Sequence, residues 1–198
     1  DLIDGNLTIY GGSVTIEGSD GAENEYACQC AINGSVTIYR GSLYAKGGDH
    51  TLFSGKDAIH GNVYFHGGSL TAIGGSKGSD DYAHDGWGIY GYVTLSWTSP
   101  DDRITATTYD GTVTIAAGQA FTDGQGNIYS GTLTEDQRKD IAGMTLVPSV
   151  ITLAAKQVTV DEQTDYWTTF YSGDAGYGID AEENACAYTA TVSGGTIT

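Results

Sequence analysis

Basic residues are scarce in this sequence, and their scarcity limits the partners that the protein can have. Lysine and arginine together number 8 against 25 aspartate and glutamate residues, which gives a formal net charge of −17 at pH 7. Because a protein binds nucleic acid by neutralising phosphates with basic side chains, we expect no nucleic-acid partner. The same reasoning applies to anionic membrane surfaces. A strongly acidic surface instead favours solubility and the binding of cations.

Long apolar runs and cysteines are also lacking. No stretch approaches the roughly 20 consecutive apolar residues that cross a bilayer, so we expect no membrane insertion. The cysteines, Cys28, Cys30 and Cys186, are too few for a disulfide framework, and we interpret Cys28 and Cys30 as small buried residues. The chain begins without a secretory signal and ends within "SGGTIT", which favours a mature form or an excised part of a larger protein.

Glycine and tyrosine, in contrast, are abundant. The chain has 30 glycines and 14 tyrosines but only 2 prolines. The glycines lack the collagen period, and the chain is too rich in aromatic and β-branched residues for disorder. This composition is typical of many short strands joined by tight turns that depend on glycine.

One pattern recurs along the first half of the chain. The copies are "LIDGNLTIYGGSVTIEG" from Leu2, "AINGSVTIYRGSLYAKGG" from Ala31, "AIHGNVYFHGGSLTAIGG" from Ala58 and "GIYGYVTLSW" from Gly88. Intervals of 29, 27 and 30 residues separate the anchoring isoleucines, which are Ile3, Ile32, Ile59 and Ile89. Within each copy apolar and polar residues alternate, which is the period of a β-strand.

The repeat length suits one coil of a three-sided parallel β-helix, in which coils stack about 4.8 Å apart and equivalent side chains form columns. We therefore predict an all-β fold, a right-handed parallel β-helix of about four coils over residues 1–116. In that fold the four anchoring isoleucines lie in one interior column. The alternative is a β-sandwich of antiparallel hairpins, which does not require a constant repeat length.

Residues 117–198 lose the repeat and are predicted to form a C-terminal β-rich region, either a cap on the β-helix or a small second unit. One short helix is expected there, because Thr134 is a good N-cap and Gln137 completes a capping box. Gly143 is expected to end that helix. The last third has the pattern of a strand, an acidic loop, a second strand and a Gly-Gly hairpin.

The copies differ mainly at their outward-facing positions. Aromatic and polar side chains there could stack on sugar rings and donate hydrogen bonds to sugar hydroxyls. The predicted ligand-binding residues are Tyr10, Tyr39, Arg40, Tyr44, Tyr64 and His66. The alternative is that tyrosine and threonine are simply favourable strand residues.

The connections between copies are acidic and are expected to cluster along one edge of the β-helix. Stacked carboxylates repel one another unless a cation lies between them, and Ca²⁺ binds six to eight oxygens of such loops. The predicted calcium ligands are Asp49, Asp57, Asp80, Asp81 and Asp85. The alternative is a solvated acidic edge. Asp57 shares a column with Cys30 and Trp87, so it lies either at a corner or buried beside a partner.

Catalytic signatures are missing from the sequence. It contains no GxSxG motif, P-loop or dinucleotide fingerprint, and its four histidines lack metal-binding spacing. The acidic pairs Asp80-Asp81 and Asp101-Asp102 could imitate a glycosidase carboxylate pair, but both lie in hydrophilic, loop-like stretches. We therefore expect a protein that is not an enzyme.

The segments "INGSVTIYRGSLYAKGG" and "IHGNVYFHGGSLTAIGG" resemble the glycine-rich coils of secreted bacterial parallel β-helix proteins. These include a clostridial-type carbohydrate-binding family associated with Ca²⁺ and acidic plant polysaccharide. The family's acidic step is kept in "KDAIHG" and lost in "QCAING". The segments after residue 116 resemble modules of large surface proteins of gut anaerobes. The resemblance implies a secreted or cell-surface location.

These patterns together predict a non-catalytic binding or adhesion module, secreted or on the cell surface. Its expected ligand is a polysaccharide or host glycan, with calcium as a possible cofactor. The alternatives are a structural spacer of a larger surface protein with no ligand of its own, and a polysaccharide lyase or glycosidase.

Overall fold

A computed structural model of the protein describes residues 2–22 and 28–149 and, further along, four short strands. The chain divides into two compact units, Asp1–Ser149 and Val150–Thr198. All the predicted ligand-binding and calcium-binding residues belong to the first unit. Among the described residues, no helix is both long enough and apolar enough to span a membrane.

The first unit begins with four groups of three strands, one group for each coil. The first coil contains β1 (Ile3–Asp4), β2 (Leu7–Ile9) and β3 (Ser13–Glu17). The second contains β4 (Ile32–Asn33), β5 (Val36–Ile38) and β6 (Ser42–Lys46). The third contains β7 (Ile59–His60), β8 (Val63–Phe65) and β9 (Ser69–Ile73). The fourth contains β10 (Ile89–Tyr90), β11 (Val93–Leu95) and β12 (Arg103–Ala106).

Equivalent strands of successive coils pair in parallel and build three sheets. The first sheet joins β1, β4, β7 and β10, the second β2, β5, β8 and β11, and the third β3, β6, β9 and β12. In the first sheet, neighbouring strands pair so that four isoleucines stand in register: Ile3, Ile32, Ile59 and Ile89. The predicted β-helix and its column of isoleucines are therefore confirmed. The four groups of strands amount to about three turns of the β-helix, slightly fewer than the four coils expected.

The core lies between the three sheets. Successive side chains of a strand point to opposite faces, so the apolar residues of each copy all turn inward. Fully buried positions of the second and third sheets include Ile38, Leu43, Phe65, Leu70, Leu95 and Ile104. Because each inward residue packs on its equivalents in neighbouring coils, no single coil could bury its apolar face alone.

A glycine with a positive φ turns the chain between the second and third sheets. The φ angles are 77° at Gly12, 89° at Gly41 and 91° at Gly68. Residues with a Cβ rarely adopt this conformation, whereas glycine adopts it without steric cost. This requirement explains why each of the first three copies has glycine at this corner.

Further elements extend the first unit after the fourth coil. They are β13 (Val113–Ile115), β14 (Phe121–Thr122), β15 (Ile128–Tyr129), α1 (Glu135–Asp140) and β16 (Thr145–Pro148). β13 adds a parallel strand to the second sheet, whereas β16 pairs antiparallel with β12 of the third sheet. β14 and β15 continue that antiparallel extension. These strands hydrogen-bond to the coils, and the first compact unit runs to Ser149.

The predicted capping box begins α1. The Thr134 hydroxyl accepts a hydrogen bond from the Gln137 amide at 3.2 Å, and the Gln137 side-chain oxygen accepts one from the Thr134 amide at 3.0 Å. The helix ends at Asp140, with Ile141 as its C-cap. Gly143 follows with a φ of 75°, as expected of a glycine that ends a helix.

The described strands of the second unit form two antiparallel pairs. They are β17 (Leu153–Ala155) with β18 (Phe170–Ser172), and β19 (Val192–Ser193) with β20 (Thr196–Ile197). The second pair flanks the predicted Gly-Gly turn. The predicted acidic loop and Cys186 lie outside the described residues.

The carboxylate of Asp123 organises the turn between β14 and β15. It accepts hydrogen bonds from the amides of Gln125 at 2.8 Å and Asn127 at 3.0 Å. The Asn127 side chain and the Tyr129 hydroxyl donate two more, at 2.9 and 3.1 Å. The Asn127 side chain makes the largest contribution, and together these donors hold the pKa of Asp123 below its usual range.

This turn should make the stability of the first unit sensitive to acid. The unfolded Asp123 titrates near a pKa of about 3.9, and the folded carboxylate titrates lower. Its contribution is therefore complete above the unfolded value and is lost as the pH falls through the folded value. We expect Asp123→Asn to be less stable than the native protein at neutral pH, and the difference to shrink in acid. Denaturant unfolding of both proteins across this range tests it, and a difference independent of pH would contradict it.

Candidate functional site

Three aromatic side chains form a column where the second sheet ends, and we call Tyr10, Tyr39 and His66 the aromatic ladder. The rings of Tyr10 and Tyr39 are parallel within 4°, with centroids 5.1 Å apart. Those of Tyr39 and His66 are parallel within 11°, with centroids 4.9 Å apart. The spacing arises because the rings follow equivalent strands of stacked coils. The ladder faces solvent, since Tyr10 is 72% and Tyr39 42% exposed.

A column of hydroxyl groups runs beside the aromatic ladder on the outer face of the second sheet. Successive rungs of this column are Thr8, Thr37, Tyr64, Thr94 and Thr114. Tyr64 is 40% exposed. Ser96 follows His66 in the same column, and its hydroxyl lies 3.2 Å from Nδ1 of His66. We call the two columns together the ladder face.

The way the rings stack changes the chemistry expected of them. Each ring turns its face toward the ring of the neighbouring coil, so the face of Tyr39 is not free to receive a sugar ring. The edges of the tyrosine rings carry hydroxyls instead. The ladder face therefore offers a regular row of hydrogen-bonding groups, rather than the stacking platform that the sequence suggested.

Two of the predicted ligand-binding residues lie apart from the ladder. Tyr44 belongs to β6 of the third sheet, where its column contains Thr15 and Thr71. Arg40 is exposed at the corner that separates the second sheet from the third. Four of the six predicted residues thus share the ladder face, Arg40 borders it, and Tyr44 lies on another sheet.

The predicted calcium ligands bond mainly to the protein's own backbone. Asp49 accepts a hydrogen bond from the Ser76 amide at 2.7 Å, and Asp57 from the Trp87 amide at 2.8 Å. Both bonds connect one coil to the next. Asp80 accepts a hydrogen bond from the Tyr82 amide, and Asp85 accepts one from the Lys77 amide. Asp81 is exposed.

Asp49 also forms an ion pair with Lys46, at 2.8 Å. Partial burial opposes ionisation of Asp49, but the hydrogen bonds from Lys46 and Ser76 outweigh it and lower its pKa. Within residues 2–22 and 28–149, the five predicted ligands do not form a group of three close enough to hold one ion. A calcium site at these residues stays a prediction.

Asp57 lies at a corner and has a partner on each oxygen. Its Oδ1 accepts the Trp87 amide, and its Oδ2 is 2.8 Å from Nδ1 of His60. Cys30 is the equivalent residue one coil earlier and is half-buried beside them. One ligand atom each from Cys30, Asp57 and His60 lies within 4.8 Å of the others. In the part of the chain that the structure describes, this is the one such group.

The two described cysteines have different surroundings. Cys28 is buried, as expected, and donates a hydrogen bond to the carbonyl oxygen of Gly48 at 2.9 Å. Cys30, predicted to be buried, is only half-buried, and it lies beside the Asp57 carboxylate with which it was predicted to share a column. Burial first, and the negative charge of Asp57 next, raise the pKa of the Cys30 thiol.

The predicted site residues line neither of two clefts. One, of about 250 Å³, is lined by residues that include Trp87, Tyr109 and Arg138. The other, of about 290 Å³, is lined by residues that include Cys28 and His50. In the second cleft Nδ1 of His50 accepts the amides of Leu52 and Phe53, each at 3.0 Å. That nitrogen therefore holds a loop, and His50 is not arranged as a general base through Nδ1.

The resemblance of the coils to a clostridial-type carbohydrate-binding family stays a prediction. The ladder face and the group around Asp57 are the two arrangements of polar side chains that the stacked coils bring together. No family model matches the chain, and no curated protein or solved structure matches it either.

Proposed function

We propose that the first unit is a non-catalytic binding module of a secreted or cell-surface protein, and that the ladder face binds a polysaccharide. One observation carries the proposal: Tyr10, Tyr39 and His66 are held in register on an exposed, regularly spaced column. Burial contributes little to the stability of Tyr10, which is 72% exposed. Exposed aromatic residues with polar tips are typical of binding surfaces.

The ligand class follows from the chemistry of the two columns. The outward edges of the aromatic ladder and the neighbouring threonines are hydroxyl-rich and uncharged, which suits the hydroxyls of a sugar chain. The ladder repeats at 4.9 and 5.1 Å, an interval comparable to one sugar unit of an extended chain. A linear polysaccharide lying along the stack could therefore repeat the same contacts from coil to coil.

Rigidity favours this mode of binding. Tyrosine has few rotatable bonds, and each ladder ring is already fixed by its stacked neighbour. Ordering the side chains on binding therefore costs less entropy than it would on a mobile loop. The net charge of −17 favours a neutral polysaccharide. A polysaccharide bearing carboxylates would need a bridging cation such as Ca²⁺.

A structural spacer is the second candidate, and a specific set of contacts favours it. Several polar side chains accept amides of the next coil, as Asn6 does from Ser35 at 2.9 Å and Asn62 from Tyr92 at 3.0 Å. These bonds fix the register of the coils and contribute to a stable rod. They do not account for the exposed rings of the ladder, so we rank the spacer second.

A glycan array with two substituted proteins tests the binding function. We expect the native chain to bind at least one polysaccharide, and Tyr39→Ala combined with Tyr64→Ala to weaken binding about tenfold or more. The matched control is Tyr82→Ala, which removes a tyrosine that is 94% exposed in a loop away from the ladder. Repeating the array with calcium and with a chelator identifies any bridging cation.

The outcomes separate the three functions. Equal weakening by Tyr82→Ala would show that any exposed tyrosine contributes, which contradicts the role of the ladder. No binding to any glycan would favour the spacer. Release of shortened products from a bound polysaccharide would instead establish an enzyme.

A further inference from the structure

Cys30, Asp57 and His60 form a second arrangement that polysaccharide binding does not use. Cys30 and Asp57 occupy equivalent positions of the second and third coils, and His60 follows Asp57 by three residues. The three donor types are a thiol, a carboxylate and an imidazole. We propose that this group binds one transition-metal ion of the Zn²⁺ type.

The separations fit such an ion. The Asp57 and His60 donors are 2.8 Å apart, and all the donor atoms lie within 4.8 Å of one another. Tetrahedral zinc has Zn–S of about 2.3 Å and Zn–N and Zn–O of about 2.0–2.2 Å, which puts its donors about 3.3–3.6 Å apart. This spacing is longer than the Asp57–His60 separation and shorter than 4.8 Å, so the site closes when the side chains rotate.

Neighbouring groups already orient two of the three ligands. The Trp87 amide holds Oδ1 of Asp57 at 2.8 Å and leaves Oδ2 toward His60. The His60 ring stacks on Tyr90, with centroids 4.6 Å apart and planes within 9°. Metal sites depend on such outer contacts to fix the angle at which a carboxylate or imidazole approaches the ion.

Charge and protons balance on binding. The incoming ion takes the place between Nδ1 of His60 and Oδ2 of Asp57, so it replaces the hydrogen bond that joins these two atoms. A ring proton on Nδ1 moves to Nε2 when the ion binds. The Cys30 thiol releases its proton to water and binds as a thiolate. One divalent cation then neutralises one thiolate and one carboxylate.

The donor set also decides which ion binds. Thiolate and imidazole favour Zn²⁺ and Co²⁺, whereas Ca²⁺ requires six or more oxygen ligands. The site is therefore distinct from the calcium site predicted from the acidic loops, although both would use Asp57. Three protein ligands would leave one tetrahedral position for water.

Cobalt substitution tests the proposal on the whole chain, kept reduced and carrying Cys186→Ser. Titration with Co²⁺ should produce the near-ultraviolet thiolate-to-cobalt band and the visible bands of tetrahedral cobalt, and Zn²⁺ should abolish them. Cys30→Ser should remove the thiolate band. His60→Asn, at an exposed position, should weaken Co²⁺ binding about tenfold or more, since even outer contacts contribute about 10–100-fold.

Cys28→Ser is the matched control, because Cys28 lies two residues away and bonds to a carbonyl oxygen outside the group. It should leave the bands unchanged. Absence of the thiolate band in the Cys186→Ser protein, or its persistence in Cys30→Ser, would overturn the proposal. Loss of the thiolate band in Cys28→Ser, together with its persistence in Cys30→Ser, would also overturn the proposal. Circular dichroism of each variant establishes that it is folded, and His60→Asn gives an independent result if Cys30→Ser does not fold.

Discussion

Replacement of Phe65 by alanine should lower the free energy of unfolding of the first unit by about 3–5 kcal/mol. Phe65 is completely buried in β8, between Ile38 of the second coil and Leu95 of the fourth. Its ring therefore contacts the inward residues on both sides along the stack. The backbone hydrogen bonds between paired strands fix the spacing of the coils, so the neighbouring coils cannot collapse into the cavity. Denaturant unfolding followed by circular dichroism measures the loss.

Tyr64→Ala provides the control for this prediction. Tyr64 precedes Phe65 in the same strand but points outward and is 40% exposed. Its replacement should change the free energy of unfolding by less than about 1 kcal/mol. Similar losses for the two variants would mean that the alternation of inward and outward residues in β8 is misassigned. A small loss for Tyr64→Ala also ensures that its effect on glycan binding is not caused by unfolding.

Replacement of Gly61 by alanine is the second substitution with a large expected effect. A Cβ at this position would overlap the carbonyl oxygen of Gly34 in the preceding coil. The backbone cannot move aside, because the Gly34 amide donates to His60 at 3.1 Å and the Gly61 amide to Tyr90 at 2.9 Å. We expect a loss of about 3 kcal/mol or more, at the upper end of the range for overpacking.

Gly124→Ala is the matched control for the Gly61 substitution. A Cβ at Gly124 meets no atom within 4 Å, and its φ lies outside the positive range. It should therefore have little effect on unfolding, or a slight stabilising one, because alanine restricts the unfolded chain. An equally small loss for Gly61→Ala would show that the coils can separate to admit a methyl group. The thermal unfolding midpoint of each variant measures the difference.

The coils could be predicted from sequence because each one repeats the same physical requirements. Inward apolar residues at every second position and glycine at the corner recur at a nearly constant interval, and the isoleucine column follows from them. The short helix was predictable for a local reason, since Thr134 and Gln137 satisfy each other's backbone amides. Both features depend on residues close in sequence or related by the repeat.

The extension of the first unit was not predictable in the same way. The repeat fades after β13, and nothing local in "TLVP" indicates that β16 will pair antiparallel with β12. Such a pairing depends on which sheet edge is open once the coils have formed. We placed the predicted boundary after residue 116 because the repeat ends there, whereas the compact unit continues to Ser149.

The candidate sites were predictable in part. The register places Tyr10, Tyr39 and His66 in one column, but whether the rings stack or splay depends on side-chain rotation. The sequence also placed Asp57 beside Cys30. It gave no sign of His60, because an exposed histidine three residues later reaches Asp57 only through the bend of the corner.

The direction of the hydrogen bonds between coils determines how the first unit responds to mechanical force. Bonds such as those from Gly61 to Tyr90 and from Val63 to Tyr92 run along the stacking axis. Tension along that axis would load one rung at a time, so the coils would peel away in sequence. Tension applied across the axis would load many rungs in shear together. The unit should therefore withstand sideways drag better than lengthwise pulling.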